Sequence, residues 1–156
     1  MLFRSRIETG TLNNPAIEGV GAAVDYLARF GRGATRKEVV HDAVAAISAY
    51  EHELGSYLWY ALEELLGVRL WGVKFSSAVR APTVSFTVEG VDPAFIAKSL
   101  DKVGICVWDG NFYAPRPVGI LKVPGGALLR VGFSMYNTKE EAERLVHCAA
   151  ALAQKK

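Results

Sequence analysis

Apolar residues recur at helical spacing in the first part of the chain and often at strand spacing in the second. The first predicted helix starts at Asn14-Pro15, where asparagine would cap the helix and proline would occupy its first position. Its apolar face consists of Ile17, Val20, Val24 and Leu27. A second, much longer helix is predicted from Thr35 to Gly67, because one apolar stripe continues through it in steps of three and four. Thr35 and Glu38 form a capping-box pattern at its start.

Beyond Gly67 the pattern predicts strands that alternate with helices. The four predicted strands are Val68–Gly72, Thr83–Val88, Ile105–Trp108 and Leu128–Phe133. Asp92-Pro93 caps one helix, Thr138 and Glu141 form a capping box for the last one, and a proline- and glycine-rich loop covers 114–126. The order β-β-α-β-β-α predicts an α+β fold, namely a small antiparallel or mixed four-stranded sheet with helices on one face, preceded by the long linking helix.

The composition is that of an ordinary globular protein of 156 residues, with 51% hydrophobic and 22% charged residues. The 18 basic and 16 acidic residues are scattered along the chain, which argues against a nucleic-acid partner. No apolar run is long enough to span a membrane, and the first residues lack the core of a signal peptide. Two cysteines are too few for a disulfide framework, so we expect a cytoplasmic protein.

No metal site is predicted from the histidines or the cysteines. The histidines at positions 41, 52 and 147 lack the i, i+4 spacing of a helical metal site and are expected on helix surfaces. Cys106 lies in the third predicted strand, where we expect a buried and inert thiol because no cationic neighbour is evident.

Glu8-Thr9-Gly10-Thr11 stands just before the first predicted helix. Glycine lets the backbone approach a ligand closely, and the threonine hydroxyl adds a donor, which together suit a phosphate near a helix N-terminus. A turn that only leads into a helix would have the same pattern. The residues alone therefore leave both interpretations open.

Arg130 interrupts Leu128–Phe133, a segment that is otherwise apolar on both faces. We expect Arg130 to have an anionic partner, because an unpaired buried charge is costly. That partner would be either a structural ion pair or a substrate carboxylate held bidentately by the guanidinium fork. A further segment, Trp108–Tyr113, places Asp, Asn and aromatic residues at a strand end, which is typical of turns and of binding loops.

Three segments taken together resemble one protein family. They are RIETGTLN at 6–13, GVGAAVDYL at 19–27 and RVGFSMYNT at 130–138. In this order they resemble the class V aminotransferases, the pyridoxal-phosphate enzymes that include the cysteine desulfurases, and the resemblance covers nearly the whole chain. The stretch 108–113 is similar to a desulfurase-like subgroup rather than to the sulfur-mobilising enzymes themselves.

The resemblance implies a division of the chain and a set of binding residues. Residues 1–34 would belong to the cofactor-binding large domain, and residues 35–156 would form the small C-terminal domain together with the long linking helix. Gly10 and Thr11 would bind the phosphate of pyridoxal 5'-phosphate in the neighbouring subunit of a homo-oligomer. Arg130 would clamp the carboxylate of an amino-acid substrate.

Asn111 and Tyr113 are the further candidate substrate contacts, and Tyr113 also marks a departure from the family. It stands where the resemblance places the persulfide-forming cysteine of desulfurases, which argues against desulfuration through a cysteine persulfide. In the family the cofactor lysine lies upstream of the Glu8-Thr9-Gly10-Thr11 segment. The lysines at 37, 74, 98, 102, 122 and 139 lack its Ser/His-Lys context, so no catalytic residue is predicted in this chain.

These observations predict the C-terminal part of a pyridoxal-phosphate enzyme acting on an amino acid, which supplies phosphate and carboxylate ligands but is inactive alone. The alternative is a free-standing, non-catalytic module that dimerises or binds a small anionic ligand. An independent enzyme with new chemistry around Asp109, Asn111 and Tyr113 ranks last, because no nucleophile–base pair supports it. Without a large domain, the apolar face of the first helix would be exposed and would favour self-association.

Overall fold

The computed structural model describes residues 10–76 and 80–154, so Glu8 and Thr9 of the first motif lie outside the described residues. The chain divides into two compact units, Met1–Ser48 and Ala49–Lys156. Helix α1 (Asn14–Ala28) lies in the first unit, and helix α2 (Arg36–Glu63) begins there and continues into the second.

Helix α1 begins with a cap at Asn13 rather than at the predicted Asn14. The Asn13 Oδ1 atom accepts a hydrogen bond from the Ala16 amide at 3.2 Å, and Pro15 is the second residue of the helix. The prediction was wrong by one residue because both asparagines are suitable caps, and only contact with a specific amide distinguishes them. None of the residues of α1 is buried.

Helix α2 is capped as predicted. The Glu38 carboxylate accepts hydrogen bonds from the amides of Thr35 and Ala34 at 3.0 and 2.9 Å, and the Thr35 hydroxyl accepts one from the Glu38 amide at 3.3 Å. These backbone hydrogen bonds, with that of Thr35 the largest contribution, hold the pKa of Glu38 below its ordinary value. The helix ends at Glu63, before the predicted stop at Gly67.

The second unit contains one four-stranded sheet, and the predicted α+β fold is confirmed. Every neighbouring pair is antiparallel, and the strand order is β1-β2-β4-β3. The strands are β1 (Val68–Trp71), β2 (Thr83–Val88), β3 (Trp108–Gly110) and β4 (Leu128–Gly132). The helices are α3 (Pro93–Asp101), α4 (Pro115–Ile120) and α5 (Lys139–Ala153), and a 3-10 turn spans Pro124–Gly126.

One face of this sheet packs against helices. Val84, Phe86 and Val88 alternate along β2 and are all buried, as the period of two in a strand requires. The buried core that they join contains Leu58, Trp59 and Leu62 of α2, Ile96 and Leu100 of α3, Leu129 of β4, Leu145 and Ala149 of α5, and Phe75.

The opposite face is covered over part of its area by residues that the sequence predicted to be a loop. Residues 115–126 contain α4 and the 3-10 turn, because Val118 and Val123 are buried against the sheet. With Trp71 and Leu128 they form a second apolar cluster, against which Phe112 packs. Six residues are too few for a stable isolated helix, so tertiary packing holds α4 in place.

The third strand differs from its prediction. It was expected at Ile105–Trp108, but only Trp108–Gly110 pairs with β4. Ile105 instead donates its amide to the Leu100 carbonyl at 3.0 Å and thereby closes the end of α3. Cys106 is consequently exposed rather than buried, which corrects the expectation of an enclosed thiol.

Candidate substrate site

Arg130 lies on the face of the sheet that points away from the helix-covered core. Directly opposed residues of an antiparallel pair share a face, and Arg130 is opposed by Ser85 of β2 and by Trp108 of β3. Its neighbours in β4, Leu129 and Val131, pack in the core on the other face. Arg130, Ser85 and Trp108 therefore form one row across the sheet.

Arg130 is exposed, which corrects the expectation that it is buried with a partner. Its guanidinium carbon lies 4.4 Å from the centroid of the Phe112 ring, a cation–π distance. Within residues 10–76 and 80–154, no side chain or carbonyl forms an ion pair or hydrogen bond with this guanidinium. The structural ion pair is therefore not formed there, and the donors of the fork stay available to a ligand.

An open concavity lies beside the Arg130 side chain. Its lining consists of Thr83, Cys106, Val107, Trp108, Arg130 and Gly132. Among the residues that the structure describes, Arg130 is its sole charged side chain, and no carboxylate lines it. A concavity with one cation and otherwise small or apolar walls suits an anionic group that carries an apolar portion.

Phe112 lies against the guanidinium of Arg130. The Phe112 ring packs against the second apolar cluster, so the guanidinium rests on an anchored surface. Phe112 and Tyr113 both have left-handed φ angles, +55° and +58°, which side chains with a Cβ rarely adopt. The Asn111 side chain stabilises this turn, since its Oδ1 atom accepts a hydrogen bond from the Tyr113 amide at 3.2 Å.

Asn111 and Tyr113, the two further substrate candidates, do not line the concavity beside Arg130. Tyr113 is 97% exposed at the tip of its turn, and Asn111 is also exposed. Of this turn, the structure thus brings Phe112 against Arg130, whereas Asn111 and Tyr113 lie outside the lining of the concavity.

Gly10 and Thr11, the candidate phosphate ligands, are exposed residues of the first unit. A Cβ atom added to Gly10 would meet no atom within 4 Å, so the space around it is open. Nothing in the described residues encloses a phosphate there. Their assignment remains a prediction.

The turn between β4 and α5 is held by Asn137. The Tyr50 hydroxyl donates to the Asn137 carbonyl at 2.6 Å, and the Asn137 side chain accepts from the Ser134 amide at 2.8 Å and donates to Glu141 at 3.0 Å. The predicted capping box of Thr138 and Glu141 is confirmed. Hydrogen bonds from the Asn137 side chain and the Thr138 amide lower the pKa of Glu141. This segment is therefore structural in the described chain.

Trp108 lies in the segment 108–113 that the sequence indicated as a turn or a binding loop, but it was not among the predicted site residues. It is 62% exposed, whereas the sequence predicted it to be the last residue of a buried strand. Its position depends on the pairing of Trp108 with Arg130, which are 22 positions apart. The sequence around each residue does not indicate which distant residue it pairs with in a sheet.

Pyridoxal phosphate would require a lysine near this site, and the described residues do not supply one. The described lysines, 37, 74, 98, 102, 122 and 139, are exposed, and none lines the concavity beside Arg130. Lys74 pairs with Glu63 at 2.5 Å, and the Lys139 ammonium lies over the Tyr57 ring at 4.9 Å. The residues at hand thus fit a carboxylate but not the whole cofactor.

Residues 10–76 and 80–154 contain neither a candidate metal site nor a helix that could cross a membrane. No His, Cys, Asp and Glu side chains cluster there in a group of three or more that would hold a metal ion. No helix in the same ranges has both the length and the apolar character needed to cross a membrane.

Comparison with known proteins gives a consistent picture. The family described as aminotransferase class-V matches residues 3–145. A cysteine desulfurase of Synechococcus elongatus is 33% identical over 141 residues, which cover 90% of this chain and 20% of that protein. A probable cysteine desulfurase of Halalkalibacterium halodurans is 34% identical over 140 residues, covering 90% and 30% of the two chains.

Solved structures show the same fold. The cysteine desulfurase CsdA of Escherichia coli superposes with a TM-score of 0.75 at 23% identity, over 94% of this chain and 32% of that one. A cysteine desulfurase of Thermococcus onnurineus gives a TM-score of 0.68 at 26% identity, over 78% and 29%. The chain thus spans between a fifth and a third of the length of these relatives.

Proposed function

The chain belongs to the class-V aminotransferase family, and on that premise we propose that it forms the C-terminal part of a pyridoxal-phosphate enzyme acting on an amino acid. The observation that carries the proposal is Arg130, a guanidinium held on an aromatic ring in an open concavity with no partner among the described residues. In the complete enzyme it would bind the substrate carboxylate.

The chemistry of this role follows from the shape of the guanidinium group. Arginine offers a planar fork of donors that matches the two oxygens of a carboxylate and stays charged at any physiological pH. The group lies over the Phe112 ring and has no hydrogen-bond or ion-pair partner among the described residues, so its donors are free for two parallel hydrogen bonds. We extend the proposal to Asn111 and Tyr113, exposed residues of the adjoining turn, as contacts that a bound substrate would gain.

Pyridoxal phosphate would supply the electron sink for chemistry at the amino acid when it is bound. Since no described lysine lines the concavity, we assign this chain a role in binding and orienting the substrate and no step of bond breaking. Tyr113 stands where the family resemblance places the persulfide-forming cysteine, so we do not propose desulfuration through a persulfide. A non-catalytic module that binds a small anion is the second candidate, and the same lack of a lysine favours it.

The carboxylate role predicts a specific loss of binding in Arg130→Ala. We expect the 156-residue chain to bind propionate weakly, with a Kd on the order of 1 mM or above. Removal of the fork should weaken this binding about tenfold to a hundredfold, since hydrogen bonds to charged groups contribute about 1.5–3 kcal/mol. A titration followed by ¹⁵N-resolved NMR, with the Arg130 side-chain signal included, measures both the affinity and the place of binding.

Two variants make this titration specific. Arg130→Lys keeps the charge but loses the fork and should bind with intermediate affinity. Arg69→Ala is the matched control, because Arg69 is an exposed arginine on the same face of the sheet, stacked at 4.0 Å on Trp71 and outside the concavity. Unchanged propionate binding in Arg130→Ala would refute the carboxylate role.

We further propose that the chain forms a homo-oligomer in which Gly10 and Thr11 contact the cofactor phosphate of a neighbouring subunit. Supporting this, α1 buries none of its residues, and Ile17 and Val20 on its apolar face are 53% and 65% exposed. An apolar stripe of this kind favours association. The space around Gly10 is open to a ligand brought by another chain.

Sedimentation velocity with added pyridoxal phosphate, recorded at the wavelengths of the protein and of the cofactor, tests this assembly. We expect a dimer or larger species in which Val20→Asn shifts the equilibrium towards monomer, because it places a polar group in the apolar stripe. Ala22→Asn is the matched control, since Ala22 is exposed on the other side of α1. A wild-type monomer would contradict the assembly, and a stoichiometric lysine adduct after borohydride would contradict the absence of a cofactor lysine.

A further inference from the structure

Trp108 differs from the other two tryptophans of the chain. Trp59 and Trp71 are 2% and 7% exposed and belong to the two apolar clusters, whereas Trp108 is 62% exposed and belongs to neither. A single exposed apolar side chain is ordinary on a protein surface. What distinguishes Trp108 is its place, directly opposite Arg130 in the sheet and in the lining of the same concavity.

The register places the indole and the guanidinium within reach of one small ligand. Opposed residues of an antiparallel pair have Cβ atoms about 4.5–5.5 Å apart, and their side chains leave the sheet on the same face. A carboxylate bound to Arg130 would therefore hold its attached carbon atoms beside the Trp108 ring.

The charge distribution of the lining indicates which ligands gain from this arrangement. Of the described residues that line the concavity, Arg130 is the sole one with a charged side chain, and the others carry only the Thr83 hydroxyl and the Cys106 thiol as polar side-chain groups. A ligand with a charged side chain would find no partner for the second charge there. An aromatic or large aliphatic side chain would cover the exposed indole and remove apolar area from water.

We propose that Trp108 is a specificity-determining residue that makes the site prefer amino acids with an aromatic or large aliphatic side chain. This inference rests on the carboxylate role proposed for Arg130 and adds the substrate class to it. Trp108 contacts the substrate side chain, and Arg130 fixes the carboxylate that places it there.

Because Trp108 is exposed, ligand binding beside it can be measured by fluorescence quenching. The two other tryptophans are buried, so an aqueous quencher such as iodide reports selectively on Trp108 in the folded chain. We expect 3-phenylpropionate to protect this emission and to bind about three- to tenfold more tightly than propionate, as an aromatic pair contributes about that factor. The quantity measured by NMR titration is the ratio of the two dissociation constants.

In Trp108→Thr this ratio should fall to about one, and in Phe95→Gln it should stay as in the wild type. Phe95 is the matched control because it is 58% exposed on α3, outside the concavity. The emission of Trp59 and Trp71 reports whether each variant is folded. A ratio unchanged in Trp108→Thr would overturn the inference and leave carboxylate binding by Arg130 intact.

A third ligand separates this failure from failure of the proposed function. The uncharged 3-phenylpropionamide has the same ring without the carboxylate, and we expect it to bind at least about tenfold more weakly than 3-phenylpropionate. Equal binding of amide and acid would show a surface that takes any aromatic ring, and it would overturn the inference. If Arg130→Ala leaves the affinity for both propionate and 3-phenylpropionate unchanged, the proposed function is wrong. The inference about Trp108 is then wrong as well, because it depends on that function.

Discussion

Replacement of Phe86 by alanine is expected to lower the free energy of unfolding of the unit Ala49–Lys156 by about 3–5 kcal/mol. Phe86 is fully buried in β2, opposed by Leu70 of β1 and by Leu129 of β4, and it belongs to the helix-covered core. Its removal leaves a cavity between sheet and helices as well as a loss of transfer free energy. Urea denaturation followed by circular dichroism and by tryptophan emission measures the effect.

The size of this loss is large against the total stability of a domain, about 5–15 kcal/mol, so the variant should be partly unfolded at moderate temperature. Phe95→Ala removes the same side chain from an exposed site on α3 and should change stability by no more than about 0.5 kcal/mol. A loss below about 1 kcal/mol in Phe86→Ala would show that the packing of sheet on helices is not as described.

The elements that could be predicted from the sequence are those specified by neighbouring residues. Strand β2 was predicted with its observed bounds because Val84, Phe86 and Val88 alternate with partly polar residues. Both capping boxes were predicted because each needs only two side chains three positions apart. The order of strands and helices then led to the sheet with helices on one face.

The residues of the candidate site were harder to place because their environment depends on distant pairing. Leu128 and Leu129 are both buried, but against different apolar clusters on the two faces of the sheet. On the second face, Val118 and Val123 pack over Leu128 but not over Arg130, which lies two residues further along the same face. From the sequence, the segment was apolar on both sides, and Arg130 was therefore expected to be buried.

The second face of the sheet is partly covered by α4 and the 3-10 turn, a region that the sequence predicted to be a loop. Prolines and glycines at Pro115, Pro117, Gly119 and 124–126 are typical of loops, and a six-residue helix has almost no stability of its own. Burial of Val118 and Val123 supplies the stabilisation. Neither α4 nor the 3-10 turn covers Arg130 and Trp108, which is why both residues are exposed. The packing of these two elements on the sheet was not predicted, and it sets the border of the candidate site.

The arrangement around Arg130 links the family motif to a physical role. The motif contains both Arg130 and the Asn137-Thr138 turn, and in the structure these two parts have different contacts. Asn137 and Thr138 hold the chain between β4 and α5 through hydrogen bonds and a helix cap. Arg130 remains without a partner among the described residues, and an arginine positioned by a ring and left unpaired suits a ligand that arrives from outside.

Replacement of Gly31 by alanine is the second change for which we expect a large loss, in this case in the unit Met1–Ser48. A Cβ atom on Gly31 would lie 2.5 Å from the Ala43 amide nitrogen and 2.9 Å from the Ala43 Cβ, and closer still to the Val39 carbonyl oxygen. Because two of these atoms belong to the backbone of α2, no side-chain rotation relieves the clash. We expect a destabilisation of about 3 kcal/mol, at the upper end of the usual range for overpacking.

Gly21→Ala is the matched control for this substitution. Gly21 lies inside α1, and a Cβ atom added there meets no atom within 4 Å, so alanine should stabilise the helix by about 0.5–1 kcal/mol. Hydrogen exchange of the amides in α1 and in the first turns of α2 reads out this unit directly. Faster exchange is expected in Gly31→Ala and slower exchange in Gly21→Ala. Equal protection in the two variants would mean that α2 does not approach Gly31 as closely as its backbone positions indicate.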